Sequence, residues 1–289
     1  WHVRFIQQDG VNAVGGCCGT TPDHIRAVAR RVLGLKPKHR VPDFVPSASS
    51  LYSPVALRQQ ADVFAIGERT NANGSRQFKR LLDGDDWDGM VGMGKDQVKG
   101  GSHAIDVCTA FVGRNEVRDM DELVKRLVGA VQAPLVIDST ELPVLEAALK
   151  RIGGKPIVNS INLEDGEDRL DKVCVLCRRH GAAVIALTID ETGMAKTPER
   201  KLEVAQRLYD LAVGRHGLAP DDILFDPLTF TIATGMDDDR KLGAWTLDGI
   251  RLISEHFPRC GIVLGLSNIS FGLNPAARHA LNSVFLHHA

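Results

Sequence analysis

Short apolar runs recur along most of the chain, and each is followed by an amphipathic stretch. Seven runs are rich in aliphatic and β-branched residues: 63–66, 104–107, 134–137, 156–158, 183–187, 223–225 and 261–264. Runs of this length and composition predict strands. Apolar residues at helical spacing occupy intervals between them, at 122–131, 142–152, 169–179, 199–213 and 241–256. This alternation predicts a parallel sheet whose strands are joined by right-handed helical crossovers.

The segment before these strands differs from the rest of the chain. Residues 35–62 lack sustained periodicity and contain the prolines Pro37, Pro42, Pro46 and Pro54. Such a composition is typical of a linker. Earlier in the chain, Thr21 followed by Pro22 predicts the start of a helix, and Val11–Val14 is a candidate strand. Residues 1–34 are therefore expected to form one βα unit.

The predicted fold class is α/β, a TIM-type (βα)8 barrel truncated to about seven βα units over residues 63–289. One βα unit of another barrel and the linker precede it. A permuted barrel that joins the early unit to the other seven is less favoured, because the proline-rich linker separates them. The chain begins with Trp1 and ends in a helical pattern without a stop signal, so we expect a piece of a longer polypeptide.

Composition and charge narrow the class of protein. The chain is 44% hydrophobic and 25% charged, as globular proteins are. Its 35 basic and 36 acidic residues give a net charge of -1, which provides no electrostatic reason to expect nucleic acid or a membrane as partner. No apolar run approaches the ~18 residues of a membrane span. Six cysteines in a chain of this length do not indicate a disulfide framework, so a cytoplasmic location is expected.

Polar side chains occur at the end of every predicted strand. In (βα)8 barrels the carboxyl ends of the strands carry the chemistry. These residues are Glu68 to Asn71, Asp106, Asp138 and Ser139, Asn159 and Ser160, Thr188 and Asp190, Asp226, and Ser267 and Asn268. Capping of the following helix would explain one or two of them, but it does not explain all seven strands. The pattern therefore predicts a binding site at this end of the barrel.

The residue types in this set indicate the chemistry of the ligand. No Ser-His or Cys-His arrangement and no strand-end lysine is present, which disfavours covalent nucleophilic catalysis. No glycine-rich phosphate loop is present either. Ionised aspartate accepts hydrogen bonds, and asparagine both donates and accepts them. Such a set suits a flat, neutral heterocycle with adjacent N–H donors, of which a 2-amino-4-oxo pterin is one example.

A second chemical signal is the adjacent pair Cys17 and Cys18, which is flanked by glycines. Two neighbouring thiolates suit a soft metal such as zinc, which needs at least a third protein ligand. No residue before the linker is an obvious third ligand, since His24 is better explained as a surface residue of the first helical turn. The spacing of the two cysteines is compatible both with a metal site and with an ordinary loop.

These motifs resemble those of the cobalamin-dependent methionine synthase family. Residues 15–22, Gly-Gly-Cys-Cys-Gly-Thr-Thr-Pro, resemble the last zinc-ligand motif of that family. The segments that resemble its pterin-binding barrel, in the same order, are 66–71, 138–139, 159–160, 225–227 and 266–271. Together they cover essentially the whole chain.

The resemblance implies a methyltransferase. The family's enzyme transfers the methyl group of 5-methyltetrahydrofolate, through cobalamin, to homocysteine and yields methionine and tetrahydrofolate. Residues 1–34 would end the homocysteine-binding zinc barrel, and residues 63–289 would form the folate barrel. Cys17 and Cys18 match two zinc ligands, and the third ligand lies outside this chain. The implied partners are the folate substrate and the homocysteine and cobalamin domains of the same polypeptide.

The resemblance also implies roles for individual residues. Asp138, Asn159 and Asp226 match positions that hydrogen-bond the pterin edge, and Asn268 matches the catalytic position near N5 of the folate. The remaining predicted pocket residues are Asp106, Glu68, Asn71 and Ser267. Many relatives carry an acidic residue shortly after the second strand, where this chain has Thr109-Ala110-Phe111. The contribution of that loop is therefore open.

Two alternatives remain at this point. A dihydropteroate-synthase-like enzyme would share the pterin barrel, but it needs an anion site for a pyrophosphate-bearing substrate, and no matching basic strand-end motif is present. A folate-binding module without independent catalysis is the other alternative. If the resemblance to the methionine synthase family holds, we expect the isolated piece to be inactive in the full methyl-transfer reaction.

Overall fold

The computed structural model describes residues 1–41, 44–60 and 63–289, with two units, Trp1–Val45 and Pro46–Ala289. Pro42 of the predicted linker lies outside the described residues. The division falls inside the segment predicted to be a linker.

The first unit contains two helices, α1 (His2–Gln7) and α2 (Pro22–Val32). At the start of α2, the backbone N–H of Thr21 donates to His24 Nδ1 at 3.1 Å, so His24 contributes to the helix cap. The prediction of a strand at Val11–Val14 is wrong, because those residues form irregular backbone. A strand is stable only beside another strand that takes up its hydrogen bonds, and this unit, as described, supplies none.

The second unit opens with an antiparallel hairpin of β1 (Ser47–Ser49) and β2 (Pro54–Ala56). The Ser49 N–H donates to the Lys155 carbonyl at 2.9 Å, and the Lys155 N–H donates back to the Ser49 carbonyl at 3.0 Å. These residues lie within the segment predicted as a linker. Because their backbone groups pair with the barrel, this part of the segment is a structural element of the second unit.

Seven parallel strands form the curved sheet of the second unit. In chain order they are β3 (Ile66–Gly67), β4 (Ala104–Val107), β5 (Leu135–Asp138), β6 (Ile157–Ile161), β7 (Ala183–Leu187), β10 (Ile223–Asp226) and β11 (Gly261–Ile262). A small hairpin of β8 (Ile189–Asp190) and β9 (Gly193–Met194) follows β7. Each of the seven pairs with the next in chain order, and β3 and β11 are the sheet edges. The predicted fold class is therefore confirmed.

Helices cover the outside of this sheet. They are α3 (Arg76–Asp83), α4 (Trp87–Lys99), α5 (Glu116–Ala130), α6 (Leu142–Arg151), α7 (Glu167–His180), α8 (Pro198–Tyr209), α9 (Leu242–His256) and α10 (Pro275–His288). A π-helical turn, Asp210–Arg215, extends α8, and a 3-10 turn, Leu266–Ser270, follows β11. Within the described residues, no helix combines the length and hydropathy needed to cross a bilayer.

Alternating side chains of the strands pack into two separate cores. Leu135 and Ile137 of β5 face the helices and join the larger core, whereas Val136 faces the barrel interior. Ala48 of the β1–β2 hairpin is fully buried against that interior group. The hairpin thus closes the end of the barrel where the strands begin. The polar strand ends lie at the opposite end, where the interior is not filled by the hairpin.

Candidate functional site

Two carboxylates and one amide form the centre of the candidate site. Asp106 lies in β4, Asp138 ends β5, and Asn71 follows β3. The side-chain amide of Asn71 donates to Asp106 Oδ2 at 2.7 Å and to Asp138 Oδ2 at 2.9 Å. Asp106 is only 4% exposed. Three neighbouring strands therefore bring these side chains into direct contact.

The orientation of the Asn71 amide follows from the turn in which it lies. The backbone N–H groups of Asn73 and Gly74 donate to Asn71 Oδ1 at 2.8 and 3.2 Å. With its oxygen engaged by two donors, the side chain directs its NH2 group toward the carboxylates. Asn71 thus holds the two acids together.

The electrostatics of this cluster favour retention of a proton. Burial, and next the charge of Asp138, raise the pKa of Asp106 to about 7, although hydrogen bonds from Asn71 and Asn159 act against the shift. Burial also raises the pKa of Asp138, and the charges of Glu68 and Glu116 add to that effect. A buried and a half-buried acid this close, with no cation among the described residues that acts on either, compete for one negative charge. A ligand that offers adjacent N–H donors would relieve this competition.

Asn159 and Glu68 extend the cluster. Asn159 pairs with Asp138 in the sheet register, and its side-chain amide opposes the rise in the pKa of Asp106. Glu68 is exposed, and its negative charge acts on both Asp106 and Asp138. Five of the predicted pterin-site residues are therefore neighbours in the structure.

Asp226 lies toward the opposite edge of the sheet, at the end of β10, which is next to the edge strand β11. Its side chain is half-buried. Its Oδ1 accepts a hydrogen bond from the Leu228 N–H at 2.8 Å. Burial raises the pKa of Asp226 to about 6, whereas this hydrogen bond and the charge of Lys201 act in the opposite direction. Asp226 is therefore positioned by its own turn rather than by the Asn71 cluster.

Ser267 and Asn268 lie in the 3-10 turn after β11, and both are exposed. A Cβ atom on Gly265 would come within 2.9 Å of the Asn268 Nδ2 atom, so the absence of a side chain at 265 makes room for this amide. In the described part of the chain, no hydrogen bond joins the Asn268 side chain to the carboxylates. The structure does not bring these two residues into contact with the acidic cluster.

The interpretation of Asp190 as part of the strand-end ring is wrong. Asp190 is 1% exposed, and its carboxylate accepts hydrogen bonds from Arg200 and, at 3.2 Å, from Arg207. Thr192 Oγ1 donates to it at 2.7 Å. A carboxylate with these partners is satisfied within the protein, so Asp190 stabilises the loop between β7 and α8.

Three charged residues near the strand ends were not singled out from the sequence. Glu116, the first residue of α5, accepts from Ser139 Oγ at 2.6 Å, and it supplies an acidic group after the second barrel strand. Arg169 of α7 donates to the carbonyls of Ser139, Thr140 and Ser160. Lys201 of α8 is fully buried. Only the position of Glu116 just inside a helix start offered a sequence signal.

Cys17 and Cys18 are both exposed, and their Sγ atoms are 3.8 Å apart. Backbone and side-chain hydrogen bonds with Cys18 lower the pKa of Cys17. No group of three His, Cys, Asp or Glu residues that could hold a metal occurs among the described residues. Two thiolates do not complete a zinc site. No chemical step is therefore assigned to zinc in this chain.

Comparison with known proteins identifies the class. The family model described as "Pterin binding enzyme" matches residues 67–289, and the one described as "Homocysteine S-methyltransferase" matches residues 1–32. The chain belongs to the pterin binding enzyme family. It is 50% identical to methionine synthase of Mycobacterium leprae and 48% identical to that of Mycobacterium tuberculosis, in each case over 98% of this chain. It spans 24% of the length of each of these relatives.

Solved structures agree with this class at the level of the fold. Dihydropteroate synthase from Xanthomonas albilineans with 4-aminobenzoic acid superposes with a TM-score of 0.60 at 17% identity, over 85% of this chain and 89% of that one. Identity this low shows a shared barrel and no more. The resemblance to the methionine synthase family predicted from the motifs is confirmed by the sequence relatives.

Proposed function

We propose that residues 46–289 bind 5-methyltetrahydrofolate through its pterin ring, as part of a longer enzyme that passes the methyl group through cobalamin to homocysteine. The observation that carries this proposal is the contact of Asp106, Asp138 and Asn71 at the open end of the barrel. The membership of the pterin binding enzyme family and the similarity to methionine synthases support it.

The acidic cluster suits the pyrimidine edge of a pterin. The 2-amino group and N3–H of that edge are adjacent donors, and a carboxylate accepts both. Hydrogen bonds to a charged acceptor contribute about 1.5–3 kcal/mol each, roughly twice as much as neutral ones. Asn159 and Asp226 would complete the contacts around the ring. Glu68, which is exposed, and Ser267 would line the rim.

Methyl transfer requires N5 of the folate to become a better leaving group, which protonation accomplishes. When bound to the longer enzyme, cobalamin supplies the nucleophile that accepts the methyl group. Asn268 would hydrogen-bond N5 whether or not it is protonated, since its amide both donates and accepts. An interaction that strengthens as charge develops on N5 lowers the barrier more than it strengthens binding.

We expect Asn268→Ala to lower the methyl-transfer rate of the longer enzyme roughly 100-fold, as is typical for loss of one preorganised donor, while folate affinity changes much less. Gly265→Ala should give a smaller loss of the same kind, because the added Cβ would displace the Asn268 amide. Rates and dissociation constants measured on the same preparations separate the two effects. An unchanged rate in Asn268→Ala would remove this residue from the mechanism.

Titration of the purified chain with 5-methyltetrahydrofolate, by calorimetry with circular dichroism alongside, tests the proposed function. We expect one equivalent of folate to bind to a folded chain. A folded chain without heat of binding would contradict the pterin site. Incubation with a pterin pyrophosphate and p-aminobenzoate tests the dihydropteroate synthase alternative, and we expect no product.

The homocysteine step is proposed for the longer protein only. Residues 1–32 match the homocysteine S-methyltransferase model, and Cys17 and Cys18 would contribute two ligands to its zinc. The described residues do not complete that site. We therefore expect this chain alone to bind folate without completing the transfer to homocysteine.

A further inference from the structure

Lys201 is a buried cation behind the strand ends, and the proposed mechanism does not use it. Its side chain is fully buried and passes Gly249 of α9, where a Cβ atom would come within 2.6 Å of Lys201 Cδ. Its Nζ donates to the carbonyls of Ala195 at 2.9 Å and Leu228 at 3.2 Å, and also to that of Pro227. The ammonium group thus ties the loop after β9 to the turn after β10.

The turn that Lys201 holds is the one that orients Asp226. Leu228 has a φ of 61°, a left-handed conformation that is unfavourable for a residue with a side chain. The Leu228 carbonyl accepts from Lys201 and, at 3.1 Å, from Thr246 Oγ1, whereas its N–H donates to Asp226 Oδ1 at 2.8 Å. The Leu228 N–H shares a peptide plane with the Pro227 carbonyl, which also accepts from Lys201. Lys201 therefore holds the peptide group that directs this N–H at the carboxylate.

Lys201 and Asp226 also interact through their charges. Burial lowers the pKa of Lys201 to about 8, and the charge of Asp226 opposes that shift. Conversely, the charge of Lys201 favours ionised Asp226. On α9, Gly249 faces the Lys201 side chain and Thr246 donates to the same Leu228 carbonyl, and neither residue titrates. Among the described residues, no other charged group shifts the pKa of either partner.

We propose that Lys201 is a positioning residue for Asp226: its ammonium group holds the carbonyls of the turn whose Leu228 N–H orients the carboxylate. Among the described residues its hydrogen bonds go to backbone carbonyls and not to a strand-end side chain, so its proposed effect on the site passes through the turn that carries Asp226. The role of Asp226 toward folate rests on the proposed function, but the coupling between Lys201 and Asp226 does not.

A carboxyl titration of the unliganded chain tests the coupling without folate. Asp226 is followed by 13C NMR in the wild type and in Lys201→Met. We expect its acid midpoint to rise by roughly one pH unit in the variant, since an opposite charge has been removed. In the wild type, the same carbon should also respond to deprotonation of Lys201 near pH 8. An unchanged acid midpoint of Asp226 in a folded Lys201→Met variant would overturn the proposal. If that variant does not fold, the absence of a response of the wild-type Asp226 carbon near pH 8 would overturn it.

Folate binding in a double-mutant cycle tests the functional consequence. When Asp226 is present, Lys201→Met should weaken folate binding roughly tenfold. In an Asp226→Asn background the same substitution should weaken it less than about twofold, because the residue through which Lys201 acts is already altered. Arg169→Met is the matched control, since Arg169 also donates to three backbone carbonyls but does so near Asp138 and Asn159. Its effect should be equal in both backgrounds.

The outcomes distinguish this inference from the proposed function. Equal losses for Lys201→Met in both backgrounds would show a general structural role and overturn the positioning role. A wild-type chain that is folded but does not bind folate would overturn the proposed function, and the carboxyl titration would then decide on Lys201 by itself.

Discussion

Asp138→Asn should weaken binding of 5-methyltetrahydrofolate by about 1–3 kcal/mol, or roughly 5- to 150-fold. The substitution preserves the size of the side chain and an acceptor for the Asn71 amide, which donates to Asp138 Oδ2 at 2.9 Å. It removes the negative charge that strengthens hydrogen bonds from the pterin. Calorimetric titration of both chains near pH 7 measures the difference.

Asp121→Asn is the matched control for this prediction. Asp121 undergoes the same chemical change, but its carboxylate forms a partly exposed ion pair with Arg151 on the outer helices, at 2.7 Å. We expect folate affinity within about twofold of the wild type, because an ion pair of this kind contributes little and lies far from the strand ends. Wild-type affinity in Asp138→Asn as well would exclude Asp138 from the folate site.

Asp106→Asn should stabilise the folded chain, and the gain should grow by about 2–3 kcal/mol between pH 5 and pH 8. The pKa of Asp106 is raised to about 7 from an ordinary value of 3.8, mainly by burial. Between these values the unfolded chain has lost the proton that the folded chain retains. Raising the pH therefore favours unfolding of the wild type, whereas asparagine carries no such penalty.

Denaturant unfolding of both chains at about pH 5 and about pH 8 checks this expectation. Asp119→Asn provides the control, since Asp119 is also a buried aspartate but accepts from Arg114 Nε at 2.6 Å. Removal of one partner from a buried ion pair is destabilising, so this variant should lose stability at both pH values. A gain for Asp106→Asn that does not depend on pH would contradict the assigned protonation of the acidic cluster.

A gain in stability at Asp106 would be informative about function. Buried acids that lack a cation are costly to the fold, and such groups concentrate at sites that need them for binding or catalysis. We expect the stabilised Asp106→Asn chain to bind folate less well than the wild type. The cluster would then be a case in which stability is given up for recognition.

Six of the seven barrel strands were predictable because each is a short apolar run between helical patterns, whereas β3 overlaps its predicted run 63–66 only at Ile66. β7 and β10, for example, begin at the first residue of the predicted runs 183–187 and 223–225. The hairpin at 47–56 was not predictable, since its serines and prolines have the composition of a linker. Pairing of Ser49 with Lys155, more than 100 residues away, is what makes it part of the barrel.

The candidate site was predictable in part. Asp106 and Asp138 followed from the rule that parallel strands present their carboxyl ends at one edge. The same rule failed for Asp190, which pairs with Arg200 and Arg207 of α8 instead. Local sequence does not reveal such a partner, because the contact depends on which helix packs behind which strand.

The sequence by itself determined the alternation of strands and helices, the end of the barrel that carries polar residues, and the resemblance to a methyltransferase family. These are properties of local periodicity and of short motifs. Only the tertiary structure decided that Asn71 joins two acids and that Lys201 donates to the carbonyls of the turn after Asp226. Both depend on hydrogen bonds between elements distant in the chain, and the energy of a buried charge is set by the neighbours that folding brings to it.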